Sequence, residues 1–463
     1  MTTARICLAG LLWAGLTTAV ASAQRLVSAP LEPGFDAVLA NPATVLPDAY
    51  TLRLAGVAQA ASTNFALEDY GERVDGRLLV SARRVAERID DDPRGSLSVA
   101  IGTIGYHRAG PTWHWGLSHA LRLEGAAAAS RDLTRVLLIG NEPLAGERLS
   151  LGVAGRQLLF QELGIHAART VSPGLRLGGR VKVLGGAAAV AFAEESGTGA
   201  SAFGELVTDP EDYSVELDAQ LAFRTAGLDL DLATEEYGLD VARWNPAAGL
   251  GVGVDLGAVW TPGPQFELGL ALRDVGVLRY TDRARRHSVD ARVRYDGLTG
   301  NVFVDDLKFD GAAVYDSLLA AAGLTTGAEA FTVGLSPRLH AHARYRVGPA
   351  ATLGVAALYE LGDAFGPDLV AAVHHRLGST FVAGVSAGVL AGNPAYGASL
   401  TARFGVLGIT ASTEQLAALY AADRVRTLRA RVGVQLQFGD RAPGEYRPWF
   451  RLGEPSAGPA NTL

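Results

Sequence analysis

The feature that most constrains this chain is an alternation of apolar and polar residues with a period of two. Between residues 428 and 438 every even-numbered residue is apolar, whereas the odd-numbered ones are Arg, Arg, Gly, Gln and Gln. Residues two apart share a face of a β-strand. Such a strand suits a barrel wall between lipid and a hydrated lumen, although an exposed strand of a soluble β-sandwich has the same period.

The same alternation recurs along the chain at residues 175–183, 213–221, 252–260, 266–273, 289–295 and 338–347. Its polar faces carry both signs of charge, which suits a salt-bridged barrel interior better than the solvent face of a soluble sheet. We therefore predict inward-facing lumen charges at Arg176, Arg180, Lys182, Asp255, Glu267, Arg273, Arg292 and Arg344. A count of such segments from residue 50 to residue 438 gives about 14 strands.

No later stretch carries about 18 consecutive apolar residues, so a chain that crosses a membrane must do so as a closed barrel. The sequence thus predicts an all-β fold, a single transmembrane antiparallel β-barrel. Some segments break the period of two. Residues 130–140 read as a short helix with Ser130 at its N-cap, residues 306–323 as a longer helix, and residues 412–415 have the spacing of a capping box.

The N-terminus has the pattern of a cleaved export signal. Arg5 supplies the positive charge, residues 6–20 are apolar, and Ala21-Ser22-Ala23 is a small-residue cleavage site, so the mature chain is expected to start at Gln24. The single cysteine, Cys7, falls inside this signal. A mature chain without cysteine has no disulfide, no thiolate metal ligand and no cysteine nucleophile.

Aromatic residues near strand ends are typical of the girdles of a membrane barrel, where an amphipathic ring lies at headgroup depth. Ordinary packing is the alternative. The candidates are Trp113, Trp115, Trp260, Tyr280, Tyr295 and Tyr359.

Neither catalytic nor cofactor-binding residues stand out. The Ser–His pairs, Ser118 with His119 and Ser379 with His374 or His375, lack a nucleophile motif. His340 and His342 share a strand face, but two histidines alone make a weak metal site, and a polar lumen network is the preferred interpretation. A net charge of -7 without a basic stripe argues against nucleic acid as a partner.

Residues 431–438 resemble the C-terminal β-signal by which the barrel-assembly machinery recognises its substrates. The resemblance rests on a polar residue, a glycine two places on, and an apolar end with an aromatic, here Arg431, Gly433, Leu436 and Phe438. It implies that this machinery is a partner during biogenesis. One departure is that about 25 residues follow Phe438, whereas many outer-membrane proteins end on the terminal aromatic.

Before the first strand, Asp36 and the run Asn41-Pro42-Ala43 resemble the hatch of the long-chain fatty-acid transporter family of outer-membrane proteins and of barrels that serve type IX secretion. The mature chain also resembles an uncharacterised family of outer-membrane barrels, a domain of unknown function. That resemblance rests on residues 132–141, 178–186, 253–258 and 272–276.

These resemblances imply a cell outer membrane location in a Gram-negative bacterium, with outer-membrane lipid around the barrel. We divide the chain into a signal peptide (1–23), an N-terminal hatch or plug (24–49), a barrel (50–438) and a C-terminal tail (439–463). If the plug fills the lumen, Asp36 and Asn41 are expected to find partners among inward arginines such as Arg176, Arg180, Arg292 and Arg344.

Two functions remain open for a chain that we do not expect to be an enzyme. One is a porin-like transporter or channel for small, hydrophobic molecules. The other is a structural or secretion-accessory barrel that binds a protein partner through its loops.

Overall fold

The structure is a computed structural model, and it describes residues 26–32, 34–46, 48–75, 77–192, 202–212, 214–231, 236–238, 245–295, 325–362 and 365–439. Most of its strands join one nineteen-stranded antiparallel sheet. The strands of the N-terminal half are β1 (Tyr50–Thr63), β2 (Gly71–Val74), β3 (Arg77–Val80), β4 (Arg94–Ala109), β5 (Trp113–Ala129), β6 (Arg148–Ser172), β7 (Leu175–Phe192), β8 (Ala202–Thr208), β9 (Val215–Ala226), β10 (Asp229–Asp231) and β11 (Glu236–Gly238).

The strands that follow are β12 (Gly249–Gly263), β13 (Phe266–Tyr280), β14 (Arg285–Tyr295), β15 (Thr325–Ala328), β16 (Phe331–Gly334), β17 (Arg338–Arg346), β18 (Ala351–Glu360), β19 (Asp368–Leu377), β20 (Phe381–Leu390), β21 (Asn393–Phe404), β22 (Leu407–Thr413) and β23 (Thr427–Phe438). The α-helices are α1 (Phe35–Ala40), α2 (Leu67–Tyr70), α3 (Ala82–Arg88) and α4 (Arg131–Ile139). The 3₁₀ turns of the described residues are Ala29–Leu31, Glu142–Leu144, Leu416–Leu419 and Ala422–Arg424.

The sheet closes into a barrel because β1 pairs with β4 on one side and with β23 on the other. The closing register runs from Tyr50 opposite Phe438 to Ser62 opposite Thr427. Around the wall the strands follow the order β1, β4, β5, β6, β7, β12, β13, β17, β18, β19, β20, β21, β22 and β23. The predicted all-β barrel is confirmed.

The remaining strands of the sheet extend the wall beyond one end of the barrel. β8 and β9 pair with the end segments of β6 and β7, β14 and β15 continue from β9, and β16 pairs with the end of β13. Residues 193–201 and 296–324, which connect strands of this sheet, lie outside the described residues. The strand number of about 14 therefore stays a prediction.

The two ends of the barrel differ in the length of their connections. At one end the strands are joined by turns of two to four residues, at 110–112, 173–174, 264–265, 347–350, 378–380 and 405–406. At the other end the connections include residues 64–93, with α2, β2, β3 and α3, and residues 130–147, with α4. Tyr50 and Phe438, which begin and end the wall, both lie at the short-turn end.

The alternation predicted from sequence places the side chains of the wall. In β23 the polar residues Arg429, Arg431, Gln435 and Gln437 are buried, while Val432 and Phe438 are exposed. The same holds in β12, where Asp255 is buried between the exposed Val254 and Leu256. The apolar faces thus point outward around the barrel, and the polar faces point into the lumen.

The helix predicted over residues 130–140 is confirmed as α4. The Ser130 hydroxyl caps it by accepting a hydrogen bond of 3.2 Å from the backbone N–H of Leu133, and Gly140 ends it with a φ of 81°, a conformation that glycine adopts without strain. The candidate helix at 306–323 lies outside the described residues.

The capping box expected at residues 412–415 is wrong. Ser412 still belongs to β22, where its hydroxyl accepts a hydrogen bond of 3.0 Å from Nε of Arg431. The short 3₁₀ turn Leu416–Leu419 follows, and it has no side-chain cap. Among the described residues, no helix combines the length and the apolar character that crossing a membrane requires.

Candidate functional site: a filled lumen

Seven of the eight predicted lumen charges are buried on inward strand faces. They are Arg176, Arg180, Lys182, Asp255, Glu267, Arg273 and Arg344. The prediction that the eighth, Arg292, faces the lumen is wrong. Its side chain is 86% exposed and pairs with Asp218 of β9 at 2.7 Å. Arg292 lies on β14, in the part of the sheet that extends beyond the barrel, so its alternation does not place it in the lumen.

The buried charges form a network, the wall cluster, that crosses the lumen. It contains five basic and five acidic side chains, Arg122, Arg180, Lys182, Arg273, Arg338, Glu124, Glu162, Asp255, Asp274 and Glu360. Arg338 of β17 reaches Glu124 of β5 at 2.9 Å, although four other strands separate β5 from β17 along the shorter path of the wall. Equal numbers of opposite charges let each buried ion find a partner, as burial in low dielectric requires.

Asp274 is the centre of the wall cluster. Its carboxylate oxygens lie 2.9 Å from a guanidinium nitrogen of Arg122, 2.9 Å from one of Arg338 and 2.5 Å from Nζ of Lys182. The wall shifts register opposite this residue, between Val254 and Leu256, and Asp274 has a φ of 59°. A β-bulge of this kind turns two consecutive side chains, Arg273 and Asp274, to the same face.

Sequence analysis missed Asp274 as a site residue, and it also missed Arg122, Glu162 and Arg338. A signal for the bulge is present in the sequence. Along β13 the outward apolar residues lie two apart up to Leu272, and the next outward residue, Val275, comes three positions later. A change of phase within one strand marks an extra inward residue.

An apolar layer lies beside the wall cluster, between β6, β7, β13 and β16. It contains Leu158, Phe160, Leu184, Leu278, Tyr280, Phe331 and Val333. The two layers touch where the guanidinium of Arg122 lies 5.0 Å from the ring centre of Phe160. Tyr280 was expected in an aromatic girdle, and this expectation is wrong, because Tyr280 is fully buried and stacks on Phe331.

The remaining part of the lumen holds the N-terminal segment, residues 26–46 with residue 33 not described. All its described residues are buried. Asp36 pairs with Arg53 at 3.1 Å and with Arg431 at 3.2 Å, and Glu32 also pairs with Arg431. The expectation that Asp36 meets Arg176, Arg180, Arg292 or Arg344 is thus wrong, since its partners come from β1 and β23.

The Asn41-Pro42-Ala43 turn lies against β7, β12 and β13. The Asn41 amide donates to the carbonyl oxygens of Ala258 at 3.1 Å and Leu270 at 3.3 Å, so its partners are backbone groups rather than the arginines expected from sequence. Gly257 makes this approach feasible, because a Cβ there would lie 2.1 Å from Oδ1 of Asn41. Arg176 does take part, as its Nε donates to the carbonyl oxygen of Ala43 at 3.3 Å.

At the other end of the N-terminal segment the contacts with the wall are apolar. Val27 and Leu31 pack against buried inward residues of β18 to β20 and the start of β21, namely Ala356, Leu358, Val370, Ala372, Leu390 and Ala395. Leu31 also lies directly over Gly354, where a Cβ would meet its Cδ2 at 2.7 Å. The six wall residues that Val27 and Leu31 contact therefore form an apolar strip, although Thr352, Asp368 and His374 are buried inward residues of the same strands.

The residues of the C-terminal octet lie in the closing strand. Arg431 points inward to Glu32 and Asp36, and Gly433 leaves room beside Asp36, since a Cβ there would lie 3.8 Å from its Oδ2. Leu436 lies opposite Leu52 of β1 and Leu407 of β22, and Phe438 lies opposite Tyr50.

Exposed aromatic side chains gather at the short-turn end of the wall. They are Tyr50, Trp113, Trp115, Trp260, Tyr345, Phe381, Phe404 and Phe438. Three of the predicted girdle residues, Trp113, Trp115 and Trp260, belong to this group. Tyr359 is exposed near the opposite end of its strand, and Tyr295 is the last residue of β14.

Within the described ranges, the histidine and serine candidates contact residues of the wall or of the N-terminal segment instead of one another. Ser118 is buried and accepts a hydrogen bond from Arg180, whereas His119 points to the outer face and contacts Thr103. His340 contacts the carbonyl oxygen of Val27 at 3.0 Å, and His342 lies 3.4 Å from Glu267. No group of three or more His, Cys, Asp or Glu side chains within the described ranges has the geometry of a metal site.

Fold and site together define a closed antiparallel β-barrel with a filled lumen. The chain belongs to the family of unknown function DUF5723, whose pattern matches residues 42–413. No curated protein sequence matches the chain.

Several solved barrel structures are similar to this chain. The Ralstonia pickettii toluene transporter TbuX is 11% identical, with a TM-score of 0.44, over 88% of this chain and 94% of that one. A Pseudomonas aeruginosa FadL homologue is 11% identical, with a TM-score of 0.46, over 91% and 99%. The translocator domain of the autotransporter NalP from Neisseria meningitidis is 10% identical, with a TM-score of 0.29, over 84% and 88%.

Proposed function

We propose that the mature protein is an outer-membrane barrel whose short turns face the periplasm and whose long connections face the cell exterior. The outward faces of the strands are apolar, with exposed residues such as Val252, Leu270 and Val385. Aromatic residues at the short-turn end fit the depth of lipid headgroups, and bacterial outer-membrane barrels have short periplasmic turns. Export through the predicted signal peptide and assembly through the β-signal octet belong to this proposal.

Residues 24–49 act as the plug of this barrel, residues 50–438 form its wall and residues 439–463 its tail. The plug assignment is supported by the burial of the N-terminal segment and by its ion pairs with Arg53 and Arg431. Because the segment is attached to the wall only where β1 begins, it can leave the lumen without breaking a strand pair.

The barrel passes small hydrophobic molecules. This proposal depends on one observation, the strip of six apolar inward residues on β18 to β21 that Val27 and Leu31 cover. The lumen of a water-filled porin is polar, whereas displacement of these two side chains exposes a strip of aliphatic residues that favours an uncharged, apolar solute. No catalytic step is part of this function.

The test is uptake of an uncharged aromatic probe by vesicles that contain the protein and carry lipopolysaccharide in the outer leaflet. Val370→Asn places a polar amide on the strip and should slow uptake several-fold. Thr401→Asn is the matched control, since Thr401 is an inward residue of β21 outside the strip. Equal uptake by both variants and the parent would contradict the proposal.

The alternative function is a structural or secretion-accessory barrel. It is favoured by the large apolar side chains Leu419 and Tyr420, which are 74% and 82% exposed on the connection between β22 and β23. Co-purification of a defined partner that Leu419→Ser with Tyr420→Ser abolishes, together with absence of probe uptake, would support this alternative.

A further inference from the structure

The two ends of the barrel differ in where arginines outside the lumen find their counter-ions. At the long-connection end seven arginines pair with carboxylates at nitrogen–oxygen distances of 2.5 to 2.9 Å, while Arg94 lies 5.6 Å from the ring centre of Phe365. The pairs are Arg84–Glu72, Arg135–Glu147, Arg148–Glu205, Arg292–Asp218, Arg294–Glu216, Arg424–Glu68 and Arg426–Asp69. These arginines have their counter-ions within the chain.

At the short-turn end Arg108 and Arg169 are exposed and lie on aromatic rings instead. The guanidinium carbon of Arg108 lies 5.8 Å from the ring centre of Tyr50, and that of Arg169 lies 5.4 Å from the ring centre of Trp113. Within the described residues, neither guanidinium has a carboxylate partner or a hydrogen bond. None of the short turns contains an acidic residue.

The two arginines belong to one continuous surface on the outside of the wall. Arg108 of β4 lies opposite Trp115 of β5 in the strand register, and Arg169 of β6 lies opposite Trp113. Tyr106 stacks obliquely on Trp115 at 5.4 Å, and Tyr50 pairs with Arg108 from β1. We call this surface, formed by Tyr50, Tyr106, Arg108, Trp113, Trp115 and Arg169, the arginine–aromatic patch.

We propose that the arginine–aromatic patch binds the phosphate group of anionic phospholipids in the leaflet at the short-turn end. Trp and Tyr side chains set the depth of the surface at the headgroups. A guanidinium held over the face of a ring keeps N–H groups available to donate to phosphate oxygens. The missing counter-ions of Arg108 and Arg169 are then supplied by the membrane itself.

The test measures retention of phosphatidylglycerol and phosphatidylcholine by the full-length mature protein in detergent micelles, using native mass spectrometry with both lipids at equal concentration. The parent should retain phosphatidylglycerol preferentially. Arg108→Gln with Arg169→Gln should weaken this retention about thirtyfold, since each basic residue near an anionic surface contributes on the order of 1 kcal/mol. The matched control, Arg83→Gln with Arg292→Gln, removes two exposed arginines of the other end and should leave the preference unchanged.

Three outcomes would overturn the proposal. In the first, the parent shows no preference for phosphatidylglycerol. In the second, the double variant keeps the preference of the parent. In the third, the preference appears only in a variant whose tail is neutralised by Asp440→Asn, Glu445→Gln and Glu454→Gln. The last result would assign the two arginines to the C-terminal tail, which lies outside the described residues. The assay requires no transport, so its result is independent of whether the barrel passes a solute.

Discussion

The two parts of the lumen are filled in different ways. Around Asp274 the filling comes from the wall itself, as the wall cluster and the apolar layer on Phe160 and Tyr280. Between β18 and β1 it comes from the N-terminal segment, which brings its own charges to Arg53 and Arg431 and also contacts the short-turn end of β7, β12 and β13. Side chains of paired strands cannot leave without unfolding the wall, whereas a terminal segment can. The first part therefore stabilises the barrel, and the second part is the one suited to open.

The largest expected effect comes from the wall cluster. Asp274→Ala should prevent assembly or strongly destabilise the folded barrel, because Arg122, Lys182 and Arg338 lose their common carboxylate in a buried site. Removing one partner of a buried ion pair costs about 3–5 kcal/mol. The measurement is the fraction of protein whose gel mobility changes on heating, together with its urea midpoint.

Asp218→Ala is the control for this variant, since it removes the carboxylate of an exposed pair with Arg292. Exposed pairs contribute about 0–1 kcal/mol. If Asp274→Ala and Asp218→Ala assembled equally well, the wall cluster would not be what holds its part of the lumen together.

The next largest effect is expected on the outward faces of the strands, which surround both parts of the lumen. Leu270→Arg places a charge on the outward face of β13, where a lipid-facing arginine costs about 2–4 kcal/mol at mid-membrane and less toward the headgroups. Leu419→Arg is the matched control, because Leu419 is an exposed loop residue. Assembly into lipid vesicles should fall for the first variant and stay unchanged for the second. Equal assembly of the two would mean that the outward faces do not meet lipid.

The wall could be predicted from sequence because each strand repeats the same local rule. A period of two depends only on neighbouring residues, so residues 428–438 are enough to assign the faces of β23. The rule fails where a strand belongs to the extension, since the alternation around Arg292 does not tell whether both faces meet water. It also fails at Asp274, where the bulge depends on the strand opposite.

The filling of the lumen was predicted in part, because its partners are far apart in the chain. Burial of Lys182, Asp255 and Glu267 follows from alternation. One partner of Asp36, however, is Arg431, and one partner of Arg338 is Glu124. These pairs depend on how the wall closes, and alternation within one strand contains no information about closure.

Deletion of residues 26–46 should leave a folded barrel and raise its single-channel conductance. The strand ladder of the wall does not include this segment, and its removal exposes Arg53 and Arg431 to water rather than leaving them buried. The conductance should stay below that of an unobstructed barrel, because the wall cluster still crosses the lumen. Recordings in planar bilayers compare the two proteins. Identical conductance would show that the segment does not close a pore and would favour the accessory-barrel function.

The smallest expected effect concerns pH at the contact of the N-terminal segment with Glu414, which follows β22. Glu414 accepts a hydrogen bond of 2.6 Å from the backbone N–H of Ser28, and Arg429 lies 3.8 Å from its other carboxylate oxygen. Burial raises the pKa of Glu414 to about 7, against the opposing effect of Arg429.

A carboxyl group whose pKa is higher in the folded protein than in the unfolded chain stabilises the fold at low pH. That stabilisation is lost as the pH rises through the folded-state pKa. The urea midpoint of the parent should therefore fall between pH 5 and pH 8, and Glu414→Gln, which keeps an acceptor for Ser28 without a charge, should make this fall shallower. Glu142→Gln, a change in an exposed connection, should leave the pH dependence as it is. An equally steep fall in the Glu414→Gln protein would mean that the contact does not titrate.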